Sequence, residues 1–434
     1  MNNIDFDSWG EELIADFIDL GICYQDESIA ITPITFDSKV VDNWKRDLPK
    51  LYELALKVAL QNRNGKTKPR QDLQDTAESF LGVQKVPGII RPDTILVGEH
   101  LKILELNVES SLGGIWEVNF IIEHIKRNPS LKLSPNAYFP SPKEAFLQYI
   151  EDFKKQARLK GKRDLKLAMV GFSDFDRYDQ DICQDMCQWI TKETSFEAIY
   201  TRPELMHIRN NYMTDGSKLF DVIYKYGAFI YPPTKVAPMI NMINQARKTK
   251  TIIINDPVDI FIEHKGILAL LSEKDKEEEN INKAELALIE KYIPWTRFLT
   301  KDSVVFQGTT HPMIQLLKSN KNNFALKRTN SYLGEYVFMG CEVGKNEWED
   351  LIEKAVADSC DWIAQEALSS EYYDLNYYIP GKGTTSKKRR CVFSPFFFGT
   401  HFGGVMVRVE NDPQKRVLSI PTKSNIGSAA VLVQ

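Results

Sequence analysis

The segment from 163 to 256 places the strongest limit on the fold. LKLAMVGF (165–172) is a continuous apolar run, the pattern of a strand buried on both faces. A helical period follows at 178–192, then a strand at FEAIY (196–200). DVIYKYG (221–227) is a further strand, 234–248 a helix and TIIIN (251–255) a last strand. Parallel strands need long crossovers, and helices between buried strands supply them. This stretch is therefore expected to be a small doubly wound α/β unit.

The flanks follow other periods. Residues 8–20 read as an amphipathic helix, with Ser8 and Glu11 as a capping box and Leu13, Ile14, Phe17 and Ile18 as its stripe. Residues 43–62 continue as helix after Pro49, and the polar 64–78 reads as a loop or exposed helix. TILVG (94–98) and KILELNV (102–108) predict two strands around Gly98-Glu99-His100, with helices at 116–127 and 141–160. Beyond 300 the pattern is α+β. NFALKR (323–328) and WIAQEAL (362–368) are strands around a helix at 347–360. CVFSPFFFG and GGVMVRVE are adjacent antiparallel strands. GKGTTSKKRR (381–390) reads as a basic hairpin tip or mobile loop, and EKDKEEEN (273–280) as a solvated run. At roughly 150 residues per domain, 434 residues imply two or three domains, divided here as 1–162, 163–256 and 257–434.

Composition excludes several classes. Apolar residues at 43% and charged residues at 26% are globular usage, so the chain is not disordered as a whole. A net charge of −4 argues against a nucleic-acid partner. No apolar run reaches the roughly 18 residues of a membrane span, so no membrane partner is expected. MNNIDFDSWGEE lacks the pattern of a signal peptide, and six scattered cysteines fit reduced thiols. The expected setting is cytoplasmic. The six histidines, His100, His124, His207, His264, His311 and His401, show no ligand spacing, so neither a zinc site nor a Ser-His-Asp site is expected.

Four segments carry candidate chemistry. Glu105 and Asn107 are two apart on a predicted strand, so both face one side. Two hard oxygen ligands suit Mg²⁺, although any half-buried strand shows the same alternation. Lys327 ends the strand FALKR, where a lysine reaches phosphate oxygens or simply solvent. Gln365-Glu366-Ala367-Leu368 closes a strand whose backbone suits an adenine edge or an ordinary core. Small residues after Lys423 let the backbone approach a ligand, or form a loose tail.

In this order the segments resemble the circularly permuted ATP-grasp ligases of the glutathione synthetase and glutathionylspermidine synthetase type. The match rests on Arg91-Pro92-Asp93, Leu104-Glu105-Leu106-Asn107, Ser110, Ser111 and Gly113-Gly114. DVIYKYGAFIYP is similar to the family's V-V-Y-F-R-D-G-Y-M-P, with Lys225 in place of arginine. DIFIEHKGILALL is similar to the helix carrying the first ATP lysine, here Lys265, and FALK to the strand carrying the second, here Lys327. PTK…GSAA is similar to the C-terminal substrate loop, with Lys423 matching. After Lys327 the family has glutamate and three glycines. This chain has Arg328-Thr329-Asn330-Ser331-Tyr332-Leu333-Gly334, in keeping with only 23 glycines overall.

The resemblance implies a permuted ATP-grasp fold and an ADP-forming ligase that joins a small-molecule carboxylate to an amine through an acyl phosphate. It implies ATP at Lys265, Lys327 and residues 365–368. Mg²⁺ would sit at Glu105, Asn107 and Asn330 (or Ser331). Arg91, Ser110, Ser111, Lys225 and Lys423 would meet the substrates, with Arg91, Lys327 and Lys423 in catalysis. Residues 328–345 and 423–430 are the expected lids, and a homodimer is common in the family. Two other readings stand beside it. One is a nucleotide-binding protein that has lost catalysis. The other is a ligase acting on a larger peptide or a hydroxyl.

Overall fold

The computed structural model describes residues 5–434, apart from 20–27, 66–70, 83–85, 87, 109–112, 157–158, 163, 173, 228–232, 274–280, 332–333, 359–360 and 411–425. The apolar runs of the central segment form a four-stranded parallel sheet. Its order is Ile252–Ile254, Val222–Lys225, Leu165–Val170, Phe196–Thr201. Helices Arg177–Glu193 and Pro233–Ala246 lie in its crossovers and bury Ile182, Met186 and Ile190, and Val236, Met239 and Ile243. Cys183 and Cys187 point into that core as free thiols, as their i, i+4 spacing requires.

A seven-stranded sheet is built on the 16-residue strand Gly383–Phe398. Its first half pairs with Tyr372–Ile379, and its second half with His401–Glu410. Asp93–Val97 lies on the other side and pairs in turn with His100–Glu105. The basic run 381–390 thus starts in the tip of a hairpin, the turn at 380–382, and is not a mobile loop. From Gly383 onward it is strand, with Lys387 opposite Leu375 and Lys388 opposite Asp374. Exposure alternates along it, so Thr384, Ser386 and Lys388 stand on a solvated face of a regular strand and Lys387 on the half-buried one.

A third sheet, antiparallel, runs Thr296–Phe298, Trp362–Glu366, Phe324–Arg328, Val337–Met339. Trp348 and Ile352 of helix Lys345–Ala357 pack on Phe324, Leu326 and Ala364 and give it a core of its own. The architecture is therefore mixed α/β with several sheets.

Helix bounds shift from the expected ones where a cap decides them. The first helix is Phe6–Asp19, because the Asp5 carboxylate accepts from the amides of Asp7 and Ser8. The second begins at Ser38, capped by Asp37 at 2.7 Å from the Lys39 amide, and keeps Pro49 inside it. Polar 64–78 contains the start of a helix, Gln71–Phe80. Helix Pro142–Asp152 stops earlier than expected, in a 3₁₀ turn. His124 on helix Ile115–Lys126 lies 2.9 Å from Asp16 and joins that helix to the first. Among the described residues no helix is long and apolar enough to cross a membrane.

Asn255 ties the parallel sheet to the 88–108 segment. Its side chain accepts from the Ile89 amide at 3.2 Å and donates to the Val108 carbonyl at 2.6 Å, fully buried. Asn255→Ala strands both backbone groups and should lower unfolding free energy by roughly 2–4 kcal/mol in urea denaturation. A loss below about 0.5 kcal/mol, the range of ordinary surface changes, would show that the tie is dispensable.

Candidate functional site

The Asp93–Val97 and His100–Glu105 strands form a hairpin with an irregularity at Asp93, which sits opposite Glu105. The second strand ends at Glu105. Asn107 lies beyond it, so the two residues do not share a strand face as expected. Glu105 keeps 23% of its side chain exposed, whereas Asn107 is buried. The Asn107 carbonyl accepts from the Arg91 amide at 2.9 Å, and its side-chain amide donates to the Arg91 carbonyl at 3.2 Å. Those bonds lock residues 91 and 107 together. The next amide, Val108, donates to the buried Glu263 carboxylate at 2.7 Å.

Two guanidinium groups share one carboxylate here. Arg408 Nη2 is 2.5 Å from Asp93 Oδ2, and Arg91 Nη1 is 3.5 Å from Oδ1, which also accepts from Ser394 Oγ at 2.8 Å. Both arginines are buried, and the Nε of each has no hydrogen-bond partner among the described residues. Burial pushes the Asp93 carboxyl up, but Arg408 and Arg91 outweigh it and hold it below the usual carboxylate range.

Lys265 sits at the junction between two short helices, Ile260–Glu263 and Gly266–Ser272, rather than inside one helix. Its ammonium is 3.1 Å from Glu105 Oε1 and donates to the Ser331 carbonyl, while its backbone amide donates to the Thr329 carbonyl at 3.2 Å. Beside it, burial lowers the His264 imidazole to about 3, with the Lys265 charge adding to the effect. Neutral His264 accepts from the Gly266 amide at Nδ1, 3.1 Å away.

Lys327, at the end of its strand, donates to the Leu104 carbonyl at 3.1 Å and to Gln365 Oε1 at 2.7 Å. Gln365 in turn donates to Thr296 Oγ1 at 3.1 Å. Both lysines therefore converge on residues 104–105. Burial lowers the Lys327 ammonium to about 8, against the opposing pull of Glu105.

The remaining expected residues are less gathered. The strand of 362–368 ends at Glu366. The Glu366 and Ala367 amides are engaged by the Trp295 and Asn323 carbonyls, and Leu368 follows. Asn330 is exposed in the turn before Ser331. Lys225 is fully buried at the end of a parallel strand, 3.4 Å from the Gly227 carbonyl. Ser110, Ser111 and Lys423 lie outside the described residues. Both expected lids are partly sheet: Val337–Met339 pairs with residues 325–327, and Ile426–Ala429 with residues 407–410.

Sequence reasoning missed Arg408 as a site residue, and Glu263 with it. The available signal was a charge embedded in an apolar run, VMVRVE and DIFIE, where burial requires a partner.

No protein-family model matches the chain, and no curated protein matches it. Solved structures do. A glutathione synthetase-like effector from Globodera pallida, in its apo form, aligns with a TM-score of 0.61 at 12% identity. That alignment covers 99% of this chain and 98% of the other. The two share a fold. A chain from Methylobacillus flagellatus KT named for gamma-glutamylcysteine synthetase aligns at TM-score 0.44 and 10% identity, covering 89% and 87%. D-alanyl-alanine synthetase A from Vibrio cholerae aligns at 0.31 and 10%, covering 62% and 74%.

Lys327 makes stability depend on pH. Its folded pKa of about 8 lies below the unfolded value, so the unfolded chain holds more protons between the two. Stability should therefore rise with pH from about 8 to about 10.4, by on the order of 3 kcal/mol relative to Lys327→Met. Urea unfolding of both chains across that range tests this, and parallel slopes would refute it.

Proposed function

We propose that the chain is an ATP-dependent ligase that joins a carboxylate to an amine, releasing ADP and phosphate. The observation that carries this reading is the meeting of Lys265 and Lys327 on the Leu104–Glu105 strand end. Two ammonium groups and a carboxylate brought from separate elements suit a metal-bound triphosphate. The shared fold with a glutathione synthetase-like protein supports it, as do the Arg91-Pro92-Asp93 and Gly113-Gly114 matches. A circular permutation and the three-part division of the chain belong to the same proposal.

Glu105 and Asn107 offer hard oxygen donors of the kind Mg²⁺ takes. The Asn107 amide nitrogen is taken by the Arg91 carbonyl, so its oxygen is the atom that would serve as a ligand. Asn330 is the third candidate. When bound there, Mg²⁺ would neutralise phosphate charge. Lys265 and Lys327 would bind phosphate oxygens and stabilise the charge that develops on them during transfer. Arg91 would orient the donor carboxylate, helped by Lys225, Ser110 and Ser111. A carboxylate oxygen attacks the γ-phosphorus and ADP leaves. The amine nitrogen then attacks the acyl carbon, phosphate leaves, and the nitrogen loses a proton. Lys423 and its neighbours would exclude water during that second step.

A second reading is a nucleotide-binding protein without turnover. The uncharged Asn330, where the resembled family has glutamate, favours it. A coupled ADP-release assay across amino acids, short peptides and polyamines separates the two. Turnover with one carboxylate–amine pair supports the ligase. Mg-ATP binding by calorimetry without ADP release under any pair supports the second reading, and no Mg-ATP binding refutes both. Lys265→Met and Lys327→Met should each weaken Mg-ATP at least about tenfold, or roughly 1.4 kcal/mol.

A further inference from the structure

We infer that the Lys265–Glu105 ion pair is a latch that couples metal binding to nucleotide binding, so that neither ligand is held well alone. The inference rests on the nucleotide and metal roles proposed above and concerns the regulation of that same site. The two groups occupy each other. Lys265 Nζ lies 3.1 Å from Glu105 Oε1, with 2% of the lysine side chain and 23% of the glutamate side chain exposed. Solvent therefore reaches the pair from the glutamate side.

A phosphate that approaches Lys265 without metal meets the Glu105 carboxylate beside the ammonium. A divalent cation that approaches Glu105 without nucleotide meets the ammonium beside the carboxylate. Either approach sets like charges together in a partly buried place, where they are weakly screened. Taking one partner away alone also costs the other its ion-pair contact in a partly buried place. When both ligands arrive, the cation takes Glu105 and the phosphate takes Lys265, and each lost contact is replaced by one of the same sign. Binding is then cooperative, and the coupling is reciprocal.

Lys265 also carries this change outward. Its ammonium donates to the Ser331 carbonyl and its backbone amide to the Thr329 carbonyl. An ammonium drawn onto phosphate gives up its hold on the turn that follows the Phe324–Arg328 strand. That turn therefore responds to occupancy of the site.

ADP titrated calorimetrically into the full chain, in EDTA and in excess Mg²⁺, tests the latch. Wild type should bind ADP weakly in EDTA. Glu105→Gln should bind ADP in EDTA about tenfold tighter than wild type does, within the usual range of such couplings, and should lose most of the Mg²⁺ stimulation. Glu105→Ala gives a second test if the glutamine variant melts early by circular dichroism. Equal ADP affinity of wild type in EDTA and Mg²⁺ would overturn the latch and leave the nucleotide reading standing. So would folded variants that bind metal-free ADP no better than wild type. No ADP binding by any chain in either condition overturns the nucleotide reading and the latch with it.

Discussion

Burying cations in one small region is the constraint on which the rest of this structure turns. Arg91, Lys265, Lys327 and Arg408 are each more than nine-tenths buried. A buried charge without a partner costs far more than a typical interaction returns. Each of them is therefore answered by a carboxylate or an oxygen acceptor, in three of the four cases from a distant part of the chain. Glu105 meets Lys265, Asp93 meets both arginines, and Leu104 and Gln365 meet Lys327. The partners of Lys265 and Lys327 come from different sheets, so the cluster exists only once those sheets have docked. Site assembly and completion of the fold are one event.

Local geometry at the seam serves that docking. Gly114 starts helix Ile115–Lys126 in the left-handed region at φ 91°. A Cβ there would stand 2.9 Å from the Met406 sulfur, on the strand that carries Arg408. The second glycine of the Gly113-Gly114 pair thus has a packing reason to be glycine. It lets the helix start pass close to a strand that supplies the guanidinium opposite Asp93. Asn255 and Glu263 hold the other side, through the carbonyl and amide of Val108. Residues 104–108 are fixed from both ends, and Leu104 and Glu105 alone among them keep partial exposure.

Much of the secondary structure was legible because period and burial agree. The apolar runs at 165–172 and 251–255 are strands whose two faces are both covered, and no tertiary detail changes that pattern. The misreadings fall where a tertiary partner decides. Glu105 and Asn107 look like one strand face, but the strand ends between them and Asn107 turns to bond Arg91. The basic run at 381–390 reads on composition as a hairpin tip or a mobile loop; it starts in a hairpin tip, but most of it is strand, because Tyr372–Ile379 pairs with it from Gly383 onward. The partners of the candidate site were illegible for a simpler reason. Lys265 and Glu105 are 160 residues apart in sequence, and Ser394 and Asp93 are 301 apart. Nothing local says which acid meets which base.

The turn after Lys327 joins these points. Thr329 is anchored through its amide and its hydroxyl to the Asp361 carbonyl, and the Ser331 hydroxyl donates to the Arg328 carbonyl. Thr329 and Ser331 are buried, and Asn330 between them is exposed. A turn pinned by such bonds needs no run of glycines to hold its shape. Asn330 matters for charge instead. With Asn107 and Asn330 both neutral, Glu105 is the one carboxylate of the proposed metal set, and Lys265 already offsets it. A divalent cation at the proposed site would be under-compensated by the protein alone and would draw the rest of its negative charge from phosphate oxygens. In the proposed site the same residues would weaken independent metal binding and make the metal depend on nucleotide.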